Sequence, residues 1–216
     1  MQLIPTAIPR SAGRRASRAW VVPALLSVLI AFSACSDDDD DDDDVTGPGS
    51  LFVVQDAAND ILPSYTGPAG ADLDVRRAEV TYDGTNFVFT STLAGTIGTT
   101  PGALFVWGVD RGQGTPRFGD IATGVHFDLV VVGRADGTGT VTDLTAAPPT
   151  STTLAAGNVV VSGNTLRITV SATLLPSKGF STARYTANFW PRVGAGNNNQ
   201  IADFAPDNQN LQIRAP

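Results

Sequence analysis

One cysteine, one histidine and one methionine in 216 residues leave this chain few of the side chains that most catalytic and metal chemistry uses. The cysteine, Cys35, comes directly after the first apolar run, so the stretch that follows can form no disulfide, no thiolate metal site and no cysteine nucleophile. The methionine is Met1, so a haem held by a His/Met pair has no second ligand downstream. The single histidine, His126, excludes multi-histidine zinc sites. No His-Glu-x-x-His, Gly-x-Ser-x-Gly or phosphate-cradling glycine loop is present; Gly179-Phe180-Ser181-Thr182-Ala183 approaches the second pattern but lacks its last glycine. Charge is also sparse, at 16% of residues, and no basic patch supports binding to nucleic acid.

What is present begins with an ordered front end. Arg10, Arg14, Arg15 and Arg18 form a basic run, and no acid precedes Asp37. An apolar stretch from Val21 to Phe32 follows, broken only by Pro23 and Ser27, and Ser33-Ala34-Cys35 closes it with small residues. Basic, apolar, then small is the layout of a secretory signal. The run is short of the roughly 20 apolar residues that a membrane-spanning helix needs. Phe32-Ser33-Ala34-Cys35 resembles a lipobox, the signal of bacterial lipoproteins, with phenylalanine where leucine is usual. The resemblance implies cleavage before Cys35 and acylation of its sulfur, hence attachment to a membrane through the lipid. An ordinary signal with a chance cysteine is the alternative. Arg14-Arg15 raises twin-arginine export, but Ala16-Ser17-Arg18 fits that signal poorly.

Eight aspartates, Asp37 to Asp44, come next, and then Val45-Thr46-Gly47-Pro48-Gly49-Ser50. Like charges at this density repel and keep a segment extended. The expected organisation is a signal over residues 1–34, a lipidated cysteine and acidic linker over 35–50, and a domain over 51–216. The linker reads as a spacer. Cys35-Ser36 followed by aspartates also resembles the acidic tag that directs some lipoproteins to the outer face of the outer membrane, so the outer membrane or cell surface is the favoured location. The tract accounts for eight of the 21 acids and the front end for four of the 14 cations, which leaves the domain ten cations against thirteen acids.

The domain reads as all-β. Phe87, Phe89 and Leu93 alternate with Thr90 and Thr92; Leu166, Ile168 and Val170 alternate with Arg167, Thr169 and Ser171; Ala183, Tyr185, Ala187 and Phe189 alternate with Arg184, Thr186 and Asn188. Period two is the strand signal. Ala103 to Val109, Phe127 to Val132 and Val159 to Val161 are apolar on both faces, as in central strands or strands whose outer face is covered. Asp83-Gly84, Asp136-Gly137 and Ser162-Gly163-Asn164 fall between such runs and read as hairpin turns. About nine strands and no sustained helical period predict an antiparallel β-sandwich of jelly-roll type.

Asp56-Ala57-Ala58-Asn59-Asp60, then Ala71-Asp72-Leu73-Asp74-Val75, the hairpin at Asp83-Gly84, Val109-Asp110, Gly124-Val125-His126-Phe127 and Asp203-Phe204-Ala205-Pro206-Asp207 follow one another in an order that resembles the DOMON-like and family-9 carbohydrate-binding-like β-sandwiches. Asn59 stands where glycine is usual, and Arg111-Gly112 where a second acid follows Asp110. The resemblance implies the sandwich fold and opens the possibility of a glycan ligand.

Three sets of residues are candidates for function. Asp56, Asp60, Asp72, Asp203 and Asp207 lie at the two ends of the domain sequence, and convergence there would offer calcium the oxygen ligands it takes; otherwise they cap turns. Trp190 shares a predicted polar face with Arg184 and Asn188 and could stack on a sugar ring, whereas Trp107 reads as core. His126 and Asp128 share a strand face and could form an oriented base, though no nucleophile is evident. The expected role is a non-catalytic binding or structural module that meets a glycan or an envelope protein; a hydrolase with an unfamiliar site is the remaining alternative.

Overall fold

The computed structural model describes residues 52–215. The signal, Cys35 and the aspartate tract lie outside the described residues. Thirteen strands are present among those described: β1 (Val53–Gln55), β2 (Val75–Tyr82), β3 (Asn86–Leu93), β4 (Ala103–Asp110), β5 (Thr115–Pro116), β6 (His126–Phe127), β7 (Leu129–Gly133), β8 (Gly139–Asp143), β9 (Thr150–Thr153), β10 (Val159–Ser162), β11 (Thr165–Ser171), β12 (Thr186–Val193) and β13 (Leu211–Gln212). Nine of them are four residues or longer, which matches the expected count; the four short strands are too brief to carry an alternation. The helical turns are single 3-10 turns.

Two antiparallel sheets form the sandwich. One has the order β1-β2-β3-β11-β10 and the other β13-β12-β4-β7-β8-β9; β5 and β6 form a separate ribbon. The chain lays down β1 to β3, crosses to the second sheet, returns for β10 and β11, and crosses again for β12 and β13. Hairpins turn at Asp83-Gly84, Asp136-Gly137 and Ser162-Gly163-Asn164, as the turn residues predict. At the first of these, Asp83 accepts the amides of Thr85 and Asn86, so the turn carries its own cap.

The main core lies between the sheets. Phe87, Phe89 and Leu93 on β3 and Leu166, Ile168 and Val170 on β11 point into it, in line with their period-two spacing. Across the gap, Phe89 meets Trp107 with ring centroids 5.5 Å apart, and Trp107 meets Phe189 at 4.9 Å. Phe87 stacks between Tyr82 and Tyr185, at 4.4 and 5.7 Å.

A second core covers the outer face of the larger sheet. Val106 on β4 and Trp190 on β12 point away from the first core and are buried against Phe118, Phe127, Ile201 and Phe204. Those partners come from the ribbon, the loop between its two strands and the stretch between β12 and β13. This explains why β4 and β7 are apolar on both faces: Val130 and Val132 pack on the second core, while Leu129 and Val131 fill the first. At Gly108 a Cβ would sit 2.6 Å from the Trp190 ring and 2.9 Å from Phe127, so only glycine lets the two rings close over β4. The third doubly apolar run behaves differently. Val160 on β10 is 47% exposed, because β10 is an edge strand and, among the described residues, its outer face is not covered there.

Beyond the end of β4, Arg111 is fully buried and holds three segments together. Its Nε donates to Asp128 at 2.7 Å, its Nη1 to the Pro176 carbonyl at 3.2 Å, and its Nη2 lies 3.0 Å from Asp143. Asp128, also buried, accepts in addition the amides of Arg111 and Gln113. Removing one member of a buried ion pair strands the other charge. Arg111→Met is therefore expected to lower stability by about 3–5 kcal/mol in chemical denaturation. A loss under about 1 kcal/mol, the value of an exposed pair, would contradict this anchoring role.

Candidate metal centre

Four of the five aspartates singled out in the sequence meet at one place. Carboxylate oxygens of Asp56, Asp60, Asp203 and Asp207 all lie within 4.8 Å of one another. The elements that bring them there can be followed residue by residue. β1 ends at Gln55, and the Asp56 amide makes a last bond to the Arg76 carbonyl of β2. The chain then turns through Asn59, whose φ of 60° is left-handed; asparagine tolerates that region better than other residues with a Cβ. The Asn59 amide donates to Asp74 at 2.9 Å, which fixes the turn that carries Asp56 and Asp60. From the other end of the chain, residues 201–205 run back along β12: Ala202 bonds Pro191, and Ala205 exchanges backbone bonds with Phe189. This return strip, rather than pairing of the first and last strands, brings Asp203 and Asp207 to the group. The Leu62 amide bonds the Ala202 carbonyl and ties the two ends directly.

The electrostatics are one-sided. Asp203 is buried, and its carboxylate accepts the amides of Val75 and Phe204, both at 2.8 Å. Asp56 Oδ2 and Asp60 Oδ1 are buried and have no hydrogen-bond partner. None of the ion pairs among the described residues reaches this group. Burial, together with the charges of Asp60 and Asp207, pushes the Asp56 carboxyl up to about 7. Burial and the charges of Asp56 and Asp60 push Asp203 up to about 8, against the opposing bond from Val75. Burial and Asp60 push Asp207 up as well.

An all-oxygen, all-anionic set of this kind suits a hard cation. Calcium takes six to eight oxygens at about 2.3–2.6 Å, so opposite ligands stand roughly 5 Å apart, a span that accommodates the four carboxylates. Two buried oxygens without partners are what such an ion would occupy. Backbone carbonyls and waters would complete the shell.

The other candidates fall elsewhere. Asp72 does not join the group: it accepts the amides of Gly98 and Thr100 and the Thr100 hydroxyl, and so braces the loop before β4. Trp190, Arg184 and Asn188 do not share a surface. Trp190 is 2% exposed and packs in the second core, 4.9 Å from Phe118 and 5.1 Å from Phe127. Asn188 is buried and donates to the carbonyls of Pro206 and Gln209. Arg184 lies in the 3-10 turn Thr182–Arg184, before β12 begins, and covers the Phe180 ring at 4.8 Å. The return strip 201–210 lies over the β12 face that the alternation marks as polar. His126 and Asp128 form no pair, since Asp128 is engaged by Arg111, while the His126 backbone is held by Asn210. Two residues that matter to the site were not picked out as candidates: Asp74, which fixes the turn, and Asn59, which makes it. Asn59 carried a signal in its residue type, because asparagine is among the few residues with a Cβ that tolerate a left-handed backbone. Compared with protein-family models, with characterised proteins and with solved structures, the chain matches none.

The raised carboxyls set a pH dependence with a definite sign. Unfolded, Asp56 and Asp203 titrate near 3.8; folded and without a cation, near 7 and 8. Between those limits the folded chain holds more protons than the unfolded one, so stability falls as pH rises. In chelator, the melting midpoint is expected to drop from about pH 5 to about pH 8 in this part of the profile. A midpoint that climbs steadily over that window would contradict the crowding of carboxylates described here.

Proposed function

We propose that this chain is a lipid-anchored, extracytoplasmic lipoprotein whose β-sandwich serves as a non-catalytic binding or structural module, braced by one calcium ion where the ends of the domain meet. The observation that carries the reading is the group Asp56, Asp60, Asp203 and Asp207, four carboxylates that none of the ion pairs among the described residues reaches. A site of this kind suits an exported domain. Extracellular modules work with calcium affinities of roughly 10⁻⁴–10⁻³ M, so modest binding is enough. A domain with no cysteine after Cys35 has no disulfide to tie its ends, and a cation that joins residues 56–60 to 203–207 takes over that task.

At Asn59, where the resemblance to DOMON-like sandwiches expects glycine, the backbone is left-handed, a conformation that glycine adopts freely. The hydrolase reading loses support because His126 has no carboxylate partner in Asp128. A glycan platform built on Trp190 loses support because that ring is buried. The aspartate tract Asp37 to Asp44 serves as spacer and, on its likeness to the acidic post-cysteine tag, as the address to the cell surface.

Two experiments test this. Calcium in excess over chelator should raise the melting midpoint, with a gain of about 2.7 kcal/mol at a hundredfold excess over the dissociation constant. Asp60→Asn should act with opposite signs: it raises the midpoint in chelator at about pH 8, where it relieves repulsion, and it shrinks the gain from calcium. Identical midpoints in calcium and chelator would remove the ion from the proposal. For the anchor, Cys35→Ala should abolish acyl-label incorporation and release the chain from the membrane fraction; full retention with unchanged label would remove the lipid anchor.

A further inference from the structure

A cavity of about 430 Å³ lies beside the 3-10 turn Ala71–Leu73, and the loop that follows the Asn59 turn forms one of its walls. Ile61 and Tyr65 line it from that loop. We propose that this cavity binds a neutral small molecule with an apolar ring, and that calcium at the aspartate group strengthens the binding. The inference rests on the calcium reading in one respect. Asp74 fixes Asn59, which lines the cavity and also belongs to the turn that carries Asp56 and Asp60.

The segments around the cavity are pinned by backbone bonds, so it is a formed site and not a gap between loose loops. The Leu62 amide donates to the Ala202 carbonyl at 2.8 Å, and the Thr66 amide to the Asn199 carbonyl at 2.9 Å. Between them the Tyr65 amide bonds the Leu62 carbonyl, and the Tyr65 hydroxyl donates to the Pro68 carbonyl, both at 2.9 Å. The Ala94 amide bonds the Asp74 carbonyl and the Gly95 amide the Ala71 carbonyl, both at 2.8 Å. At Gly95 a Cβ would lie 2.6 Å from the Ala71 Cβ, so only glycine lets the chain after β3 close on the turn. Within this frame Gly67, Ala69, Gly70, Ala71 and Ala94 carry nothing beyond a Cβ, and the space stays unfilled by the chain itself. Small-molecule sites are largely pre-formed in this way.

The walls set the chemistry of the ligand. The volume falls within the range of small-molecule sites, about 300–1,000 Å³, whose walls are mainly apolar. Ile61 and Tyr65 are half-buried, and a ring laid against the Tyr65 ring would gain stacking contact. Among the described residues no charged group is open to the cavity. Asp74 Oδ2 accepts the Asn59 amide, Oδ1 is enclosed, and no lysine, arginine or histidine lines the space. A cation would shed water with no open acceptor to replace it. An anion would in addition meet the field of Asp72, which is close enough to act on Tyr65. A neutral ring incurs neither cost. Calcium acts through the wall: by relieving repulsion among the carboxylates it steadies the turn that places Asn59 and Ile61. Linkage then requires the ligand to tighten calcium binding by the same factor.

The test is calorimetric titration of the purified full-length chain with 2-naphthalenemethanol and 2-naphthoate, each in calcium and in chelator. In calcium the alcohol should bind roughly tenfold tighter than the carboxylate or better, and chelator should weaken it. Ala94→Trp, at an exposed position, puts a large side chain into the space and should weaken the alcohol by roughly tenfold or more, with the melting midpoint kept. Tyr65→Ala removes the stacking face, should weaken the alcohol as well, and is the reading variant if Ala94→Trp does not fold. No alcohol binding to the folded chain at about 1 mM in calcium, equal affinity for the two probes, or an affinity unchanged in the folded variants would overturn the site. Equal alcohol binding in calcium and chelator, in a chain whose melting midpoint calcium raises, would overturn the coupling. The calcium reading fails separately, by identical midpoints in the two conditions, whatever the probes do.

Discussion

Carboxylates repel one another, and the repulsion grows as water is removed from around them. Asp56, Asp60, Asp203 and Asp207 are nevertheless gathered within 4.8 Å, with Asp203 fully enclosed. The chain accepts this because the segments that carry them are fixed by bonds formed elsewhere. Asp74 holds the Asn59 turn, Leu62 is bonded to Ala202, and residues 201–205 are laced to β12. Protons relieve the repulsion at low pH, and a dication would relieve it at neutral pH.

The return strip that delivers Asp203 and Asp207 has a second task. It supplies Ile201 and Phe204 to the core on the outer face of the larger sheet, where they meet Trp190, Phe118 and Phe127. The central strands β4 and β12 are thus buried on both faces. Asp203 lies between two of these core residues, so the carboxylate group and the second core are built from one short stretch of chain, and disturbance of either is expected to reach the other.

Much of this was legible in the sequence, for reasons that differ by element. The alternation in β3 and β11 marks inward residues correctly because both strands have one face on the main core. The three hairpin turns follow from their Asp-Gly and Gly-Asn residues. The doubly apolar run in β4 announces a covered outer face but does not say what covers it. That is why Trp190 and Asn188 read as exposed: period two separates two faces of a strand and is silent about which is wet. Arg184 and Ala183 extend the same alternation, yet the chain there is a 3-10 turn, since Tyr185 precedes the first paired residue, Thr186. Among the aspartates, Asp72 could not be told from its neighbours, because the groups that engage it, Gly98 and Thr100, lie 26 and 28 residues away. Asp74 was overlooked for a related reason, since its partner Asn59 is a backbone amide 15 residues earlier.

The central claim is that these four carboxylates form a cation site whose members give up protons when the ion binds. Calcium titration by calorimetry at about pH 7, repeated in buffers of different ionisation enthalpy, reads both parts at once. The account predicts one ion per chain with net proton release, and a release that shrinks toward zero at about pH 9, where Asp56 and Asp203 are already ionised. The absence of calcium binding, or binding whose heat is the same in every buffer at about pH 7, would contradict it.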